Sequence, residues 1–141
     1  CLHEKYSVIS LSPLYETSSM GFDGPNFYNL VCCFETSQDV VVLKTELSVI
    51  EKNHGRSMNE TKFSSRTLDI DILYYDDLIY EDDNLKLPRK EIIQYDFVLQ
   101  PLVDIAPEFI HPLIKKTNKE IMDEFNIEKN IIREISINLD E

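Results

Sequence analysis

Two aspartates set two residues apart, Asp69 and Asp71, offer the clearest chemistry in the chain. On an extended segment that spacing projects both carboxylates from one face, with Cα atoms roughly 7 Å apart. Hard oxygen donors without an adjoining His or Cys set suit Mg²⁺, which takes one or two carboxylates and completes its shell with water and substrate phosphates. The same pair also reads as the acidic outer face of an amphipathic strand, and the spacing alone leaves both readings open. Arg66 precedes the pair, and Arg56 and Lys62 lie in the adjoining stretch. Phosphate plus a divalent ion needs that mixture: cations hold phosphate oxygens, and carboxylates hold the ion that offsets developing charge. Surface salt bridging is the competing account of these charges.

A second group is aromatic. Phe27, Tyr28 and Asn29, with Phe97 far downstream, can sandwich a flat heterocycle between ring faces while Asn29 supplies both a donor and an acceptor to its edge. Ordinary core packing competes with that reading. His3, His54 and His111 are scattered, with no metal-ligand spacing and no nucleophile beside them, which disfavours a His-based triad. Neither a Walker glycine loop nor a GxGxxG turn is present, so any ATP is expected to be held by Arg and metal contacts.

The chain that must position these groups has 141 residues, the size of one domain with a single core. Its 43% hydrophobic and 28% charged residues match a globular composition. A formal net charge of −12 removes the broad basic footprint of a nucleic-acid or anionic-membrane binder, while leaving a small anionic substrate open through local Arg residues or a bound cation. No apolar run approaches the ~20 residues of a transmembrane helix. Three cysteines, two of them adjacent at Cys32 and Cys33, form neither a disulfide framework nor a CxxC motif, and the expected setting is reduced, intracellular and cytoplasmic. Cys1 opens a segment that already reads as structure, so the true beginning is expected upstream.

Alternation of β-branched and aromatic residues predicts strands at Tyr6–Thr17 and Phe27–Thr36. Val42, Leu43, Leu47 and Ile50 recur at helical spacing from Asp39, a capping residue, to Asn53, and Gly55 stands where a helix stop is wanted. His54 to Ser65 is polar and reads as an exposed functional loop. Thr67 to Tyr75 alternates Leu68, Ile70 and Ile72 against Asp69 and Asp71, a half-buried strand turned by Asp76–Asp77 before a short return at Leu78–Tyr80. A helix is expected at Gln94–Leu99, limited by Pro101. Thr117 with Glu120 forms a capping box for a helix over Asn118–Phe125, and Ile131–Ile137 reads as a last strand. The order predicts an α+β domain.

Arg66-Thr67-Leu68-Asp69-Ile70-Asp71-Ile72-Leu73 resembles the RTLDxDI(L) motif of the 6-hydroxymethyl-7,8-dihydropterin pyrophosphokinase family of folate biosynthesis. Ser12 to Thr17, Pro25 to Asn29, Glu51 through Gly55-Arg56, Phe97-Val98-Leu99-Gln100-Pro101-Leu102 and Ile105-Ala106-Pro107-Glu108 agree with it in order and spacing. The resemblance covers Ser12 to His111, and Lys115 to Glu141 carries no alignable motif.

The resemblance implies pyrophosphate transfer from ATP to 6-hydroxymethyl-7,8-dihydropterin, with release of AMP. It implies a ferredoxin-like antiparallel sheet flanked by helices over one domain, 1–141, whose first strand would lie before Cys1. By similarity Asp69 and Asp71 would bind two Mg²⁺ ions. Arg56 and Arg66 would contact the triphosphate, with Asp71 a candidate proton acceptor. Glu51, Lys62, Phe63, Ile72 and Arg89 would line the nucleotide site. Thr17, Met20, Phe27, Asn29 and Phe97 would bind the pterin. The partners would be the two small-molecule substrates, with fusion to or association with another folate enzyme. Three positions depart from the family: Pro88-Arg89 stands where Pro-His is usual, Tyr95 where the family has Arg, and Met58 where Arg is frequent. The alternative they imply is a catalytically weakened pterin- and nucleotide-binding module.

Overall fold

The computed structural model of the chain describes residues 7–18, 26–58 and 69–135, with backbone alone at 7 and 54–58. The two long predicted strands each break once. The first yields β1 (Ser7–Leu11) and β2 (Leu14–Thr17), and the second β3 (Phe27–Asn29) and β4 (Cys32–Glu35). Pro13, which has no N–H to give a ladder, lies at the first break. Ser12 stitches it to the second: its N–H donates to the Val31 carbonyl and its Oγ accepts from the Val31 N–H, both at 2.9 Å. β1 and β4 form one antiparallel ladder, while β2 pairs with β3 on one side and with β7 (Ile131–Ile135) on the other. A small hairpin joins β5 (Tyr80–Glu81) to β6 (Lys86–Leu87).

Helix α1 (Val40–Met58) starts at Asp39, whose Oδ2 accepts the Val41 N–H at 3.0 Å. It continues through Gly55, which overturns the expected stop there, and it takes 54–58 out of the expected loop. A glycine inside a helix costs only about 1 kcal/mol against alanine, so it permits an ending without forcing one. The buried stripe is Val40, Leu43 and Leu47, with Ile50 partly buried, whereas Val42 faces outward. Against this stripe pack Ile72, Leu85 and Leu87, with Phe34, Ile70 and Tyr75 at the margin.

A second core gathers Ile92, Leu99, Leu102, Ile121 and Ile127 from a 3-10 turn (Lys90–Ile93), α2 (Asp96–Ile105), α3 (Asn118–Glu124) and the chain beyond it. Helix α2 runs four residues past Pro101, contrary to the expected limit. The buried Pro101 removes only the N–H that would reach Phe97, and burial of Leu99 and Leu102 carries the helix on. The capping box at α3 forms as expected: Thr117 Oγ1 accepts the Glu120 N–H and Glu120 Oε1 accepts the Thr117 N–H. Three helices and antiparallel sheets among the described residues make the fold α+β. None of these helices is long and apolar enough to cross a membrane.

Residues 69–75 join no ladder among the described residues, so the expected strand there is corrected. The alternation itself holds: Ile70 and Ile72 pack on the α1 core while Asp69 and Asp71 are exposed. Burial of one face sets the alternation, whereas a ladder needs a neighbouring backbone. The turn follows as expected, with Asp76 at φ 51° and the Leu78 N–H donating to the Tyr75 carbonyl at 3.0 Å.

Tyr74 then enters a buried polar hub. Its hydroxyl donates to Asn118 Oδ1 at 2.7 Å, and Asn118 Nδ2 donates to the Ala106 carbonyl at 2.8 Å. Burial raises the Tyr74 hydroxyl pKa, which keeps it a donor. Tyr74 also meets the buried His111 edge-on at 5.7 Å. His111 Nδ1 accepts the N–H groups of Leu113 and Ile114, each at 3.2 Å, so the neutral ring carries its proton on Nε2.

Asn118→Leu would strand the Tyr74 hydroxyl and leave the Ala106 carbonyl only the Phe109 N–H, and urea denaturation should show a loss of about 1–3 kcal/mol. Burial lowers the His111 pKa from its ordinary 6.5. The unfolded chain therefore takes up this proton first, so the contribution of His111 to stability is complete above about pH 6.5 and declines as pH falls below it. Denaturation from pH 7.5 to 5 should show that decline in the wild type and a weaker one in His111→Gln.

Candidate active site

The acidic end of the site is built on residues 69–73. Glu51, about two turns before the end of α1, accepts the Ile70 N–H with its carboxylate and so ties residues 69–73 to the helix. Because Ile70 and Ile72 turn into the core, Asp69 and Asp71 on either side of Ile70 turn outward. Ile72 is only 8% exposed, so its side chain serves the core rather than a ligand. Arg89 approaches from the chain after β6. Its backbone N–H donates to the Leu73 carbonyl at 3.1 Å, and its guanidinium lies 3.7 Å from Asp71 and 3.4 Å from Glu91.

These contacts suit a divalent ion. Both carboxylates reach solvent, the core uses neither, and the Asp71–Arg89 contact is a long ion pair that competes weakly for the oxygen. Among the described residues no third His, Cys, Asp or Glu completes a ligand set, so water and phosphate oxygens would supply the remaining positions.

The aromatic end is built on β2 and β3. Thr17 lies directly opposite Phe27, and Asn29 opposite Tyr15, which puts the four residues on one face of the hairpin. Helix α2 lies over that face: the Tyr15 hydroxyl donates to Asp104, and Phe97 meets Phe27. The Phe27 and Phe97 rings are in edge-to-face contact, 5.5 Å between centroids at 89°. A sandwich needs near-parallel faces roughly 7 Å apart, twice a van der Waals contact. The predicted pair is therefore assembled, but without an open slot between its rings. Tyr95 stacks on Phe97 at 5.1 Å and 22°. Thr17 Oγ1 and Asn29 Oδ1 are buried without a hydrogen-bond partner among the described residues, as is Asn130 Oδ1.

Met20, Lys62, Phe63 and Arg66 lie outside the described residues, and so does the Arg56 side chain at the end of α1. One residue that positions the site escaped the sequence reading. Asp96, 7% exposed, accepts the Asn130 N–H at 2.8 Å and the Ile131 N–H at 3.2 Å, clamping the start of β7 to the turn that carries Phe97. In the sequence it reads as an ordinary acidic residue at a helix start, and only its burial marks it.

The sequence profile described as 7,8-dihydro-6-hydroxymethylpterin-pyrophosphokinase matches residues 1–107. The folic acid synthesis protein fol1 of Schizosaccharomyces pombe is 36% identical over 121 residues, 85% of this chain and 16% of that protein. Its namesake in Pneumocystis carinii is 39% identical over 107 residues, 75% of this chain and 14% of that protein. The chain thus spans less than a fifth of the length of these two relatives. The 2-amino-4-hydroxy-6-hydroxymethyldihydropteridine pyrophosphokinase of Aquifex aeolicus is 35% identical over 124 residues, 87% of this chain and 77% of that enzyme. With three quarters of its length matched by the profile, and its paired aspartates and aromatic cluster assembled, the chain belongs to the 7,8-dihydro-6-hydroxymethylpterin-pyrophosphokinase family.

Proposed function

We propose that the chain transfers pyrophosphate from ATP to the hydroxymethyl oxygen of 6-hydroxymethyl-7,8-dihydropterin, releasing AMP. The observation that carries this reading is the exposed Asp69–Asp71 pair, held outward by core-buried Ile70 and Ile72 in a chain of this family. Asp69 and Asp71 would hold Mg²⁺, two ions by resemblance to the family, which when bound supplies charge neutralisation to the triphosphate. Arg56, Arg66 and Lys62 would hold phosphate oxygens, and Arg89 stands beside Asp71 to do the same. Glu51, Phe63 and the Ile72 backbone would line the nucleotide. Asp71 would accept the proton of the attacking hydroxyl. Catalysis by positioning and electrostatics alone suits an in-line transfer without a covalent enzyme intermediate.

Phe27, Phe97, Asn29, Thr17 and Met20 would hold the pterin. The unpartnered Thr17 and Asn29 oxygens support this, since buried acceptors without donors are expensive unless a ligand satisfies them. One ring of the Phe27–Phe97 pair would turn to admit the heterocycle. The reading extends to a ferredoxin-like antiparallel sheet flanked by helices, supported by the three-stranded antiparallel order β3–β2–β7 with α2 packed over it. A cytoplasmic setting fits the free Cys32 and Cys33. Attachment to or association with another folate enzyme is supported by the small share of the Fol1 proteins that the chain spans. The second reading, a binding module with weakened transfer, is favoured by the closed aromatic pair and by Arg89 and Tyr95 at departing positions.

AMP release from ATP, pterin alcohol and Mg²⁺ distinguishes the two readings: pterin binding without AMP selects the module, and neither sinks both. Asp69→Ala should lower turnover about 100-fold or more while leaving pterin affinity intact, because it removes a group that stabilises transition-state charge. Near-normal turnover of Asp71→Asn at saturating Mg²⁺ would exclude both roles given to Asp71. Phe97→Ala should weaken pterin binding about 10- to 100-fold, the worth of one aromatic stacking face, with the KM for ATP unmoved.

A further inference from the structure

Asn130 has no role in the reading above, yet its side-chain oxygen is buried and lacks any hydrogen-bond partner among the described residues. Native structures satisfy nearly all such atoms, so one left over needs a reason. Both backbone groups of Asn130 are engaged. Its N–H donates to Asp96 Oδ1 at 2.8 Å, and its carbonyl accepts the Ser18 N–H at 3.0 Å. Asp96 is the chain neighbour of Phe97, and Ser18 the neighbour of Thr17. The Asn130 backbone is thus fastened between the two elements that carry the aromatic site, one bond to each.

The other two unpartnered oxygens lie on β2 and β3, while Asn130 is the residue that leads into β7. Thr17 on β2 faces Phe27 of β3 on one side and Ile131 of β7 on the other, and Asn29 ends β3. Two strand spacings, roughly 10 Å, span all three strands. The two amide oxygens lack donors, and the Thr17 hydroxyl, which can donate or accept, lacks a partner of either kind among the described residues. The ligand class that answers this set is a heterocycle with an edge rich in N–H groups. We infer that Asn130 is a further binding residue of this site, its side-chain oxygen accepting an N–H from the amino-substituted edge of the bound heterocycle. The inference rests on the pterin reading above and adds a residue to it from the part of the chain beyond the recognised motifs. Asp96 positions Asn130 and Phe97 together, so the edge contact and the ring contact are set by one carboxylate.

The test uses the full-length protein and the variants Asn130→Leu and Asn130→Ala, reading pterin-alcohol binding by fluorescence titration, the KM for each substrate and the thermal midpoint. Loss of one hydrogen bond to the ligand should raise the pterin Kd and KM about tenfold. The KM for ATP should stay within about twofold. The thermal midpoint should not fall, because an oxygen without an internal partner gives up no internal bond. Unchanged pterin affinity in both variants, with the wild type binding, would overturn this inference alone. Parallel loss of affinity for both substrates with a lowered midpoint in both variants would make Asn130 structural and overturn it as well. A wild type that binds no pterin would overturn the pterin reading and this inference together.

Discussion

Residues 70–74 are held between two hydrophobic cores, and much of the molecule is arranged by that confinement. Ile70 and Ile72 enter the core beneath α1, while Leu73 and Tyr74 join the one formed by α2 and α3. Burying a large aliphatic side chain is worth about 1.5–3 kcal/mol, so rotating the segment to hide Asp69 and Asp71 would forfeit several such terms and bury two charges besides. The exposure of the carboxylate pair therefore follows from the stability of the cores. Glu51 and the Arg89 N–H complete the arrangement by engaging the backbone at Ile70 and Leu73, where no strand among the described residues does so.

The other end of the site depends on polar anchors. Asp96 fastens β7 to the start of α2, the Tyr15 hydroxyl reaches Asp104 at the far end of that helix, and Asn118 joins Tyr74 to the Ala106 carbonyl. Helix α2 is thus held along its length, and Phe97 in its first turn is delivered against Phe27. Hydrogen bonds are directional where apolar contacts are not, which suits them to fixing a ring within the few tenths of an ångström that recognition requires. On the outer face Glu16 binds Arg133 and Asn26, linking β2 to β7 and to the chain before β3. Arg133 holds the Glu16 carboxyl below its ordinary range.

Elements governed by neighbours in sequence were legible in the chain. The Asp39 cap, the Thr117–Glu120 box and the Asp76–Asp77 turn each involve groups within a few residues, and each forms as read. The alternation around Asp69 and Asp71 was legible for the same reason. Errors arose where a local signal permits an outcome without compelling it. Gly55 is tolerated inside α1, and Pro101 inside α2, where Leu99 and Leu102 are buried on either side of it. Val42 was assigned to the buried stripe on spacing alone, but the helix phase follows Val40, Leu43 and Leu47, and one residue of phase is enough to turn Val42 outward.

By itself the sequence determined the α+β class, the caps and turns, the acidic pair with its outward alternation, and the motifs that mark the family. All of these depend on residue type and on separations of a few positions. Tertiary structure alone decided that Phe27 meets Phe97 edge-on, that Asp96 is a buried clamp, and that Thr17, Asn29 and Asn130 keep acceptors without donors. Those facts depend on which distant segments share a face and on whether a polar atom is shielded from water. Pattern in one dimension does not encode either, because burial and partnership are properties of the packed chain.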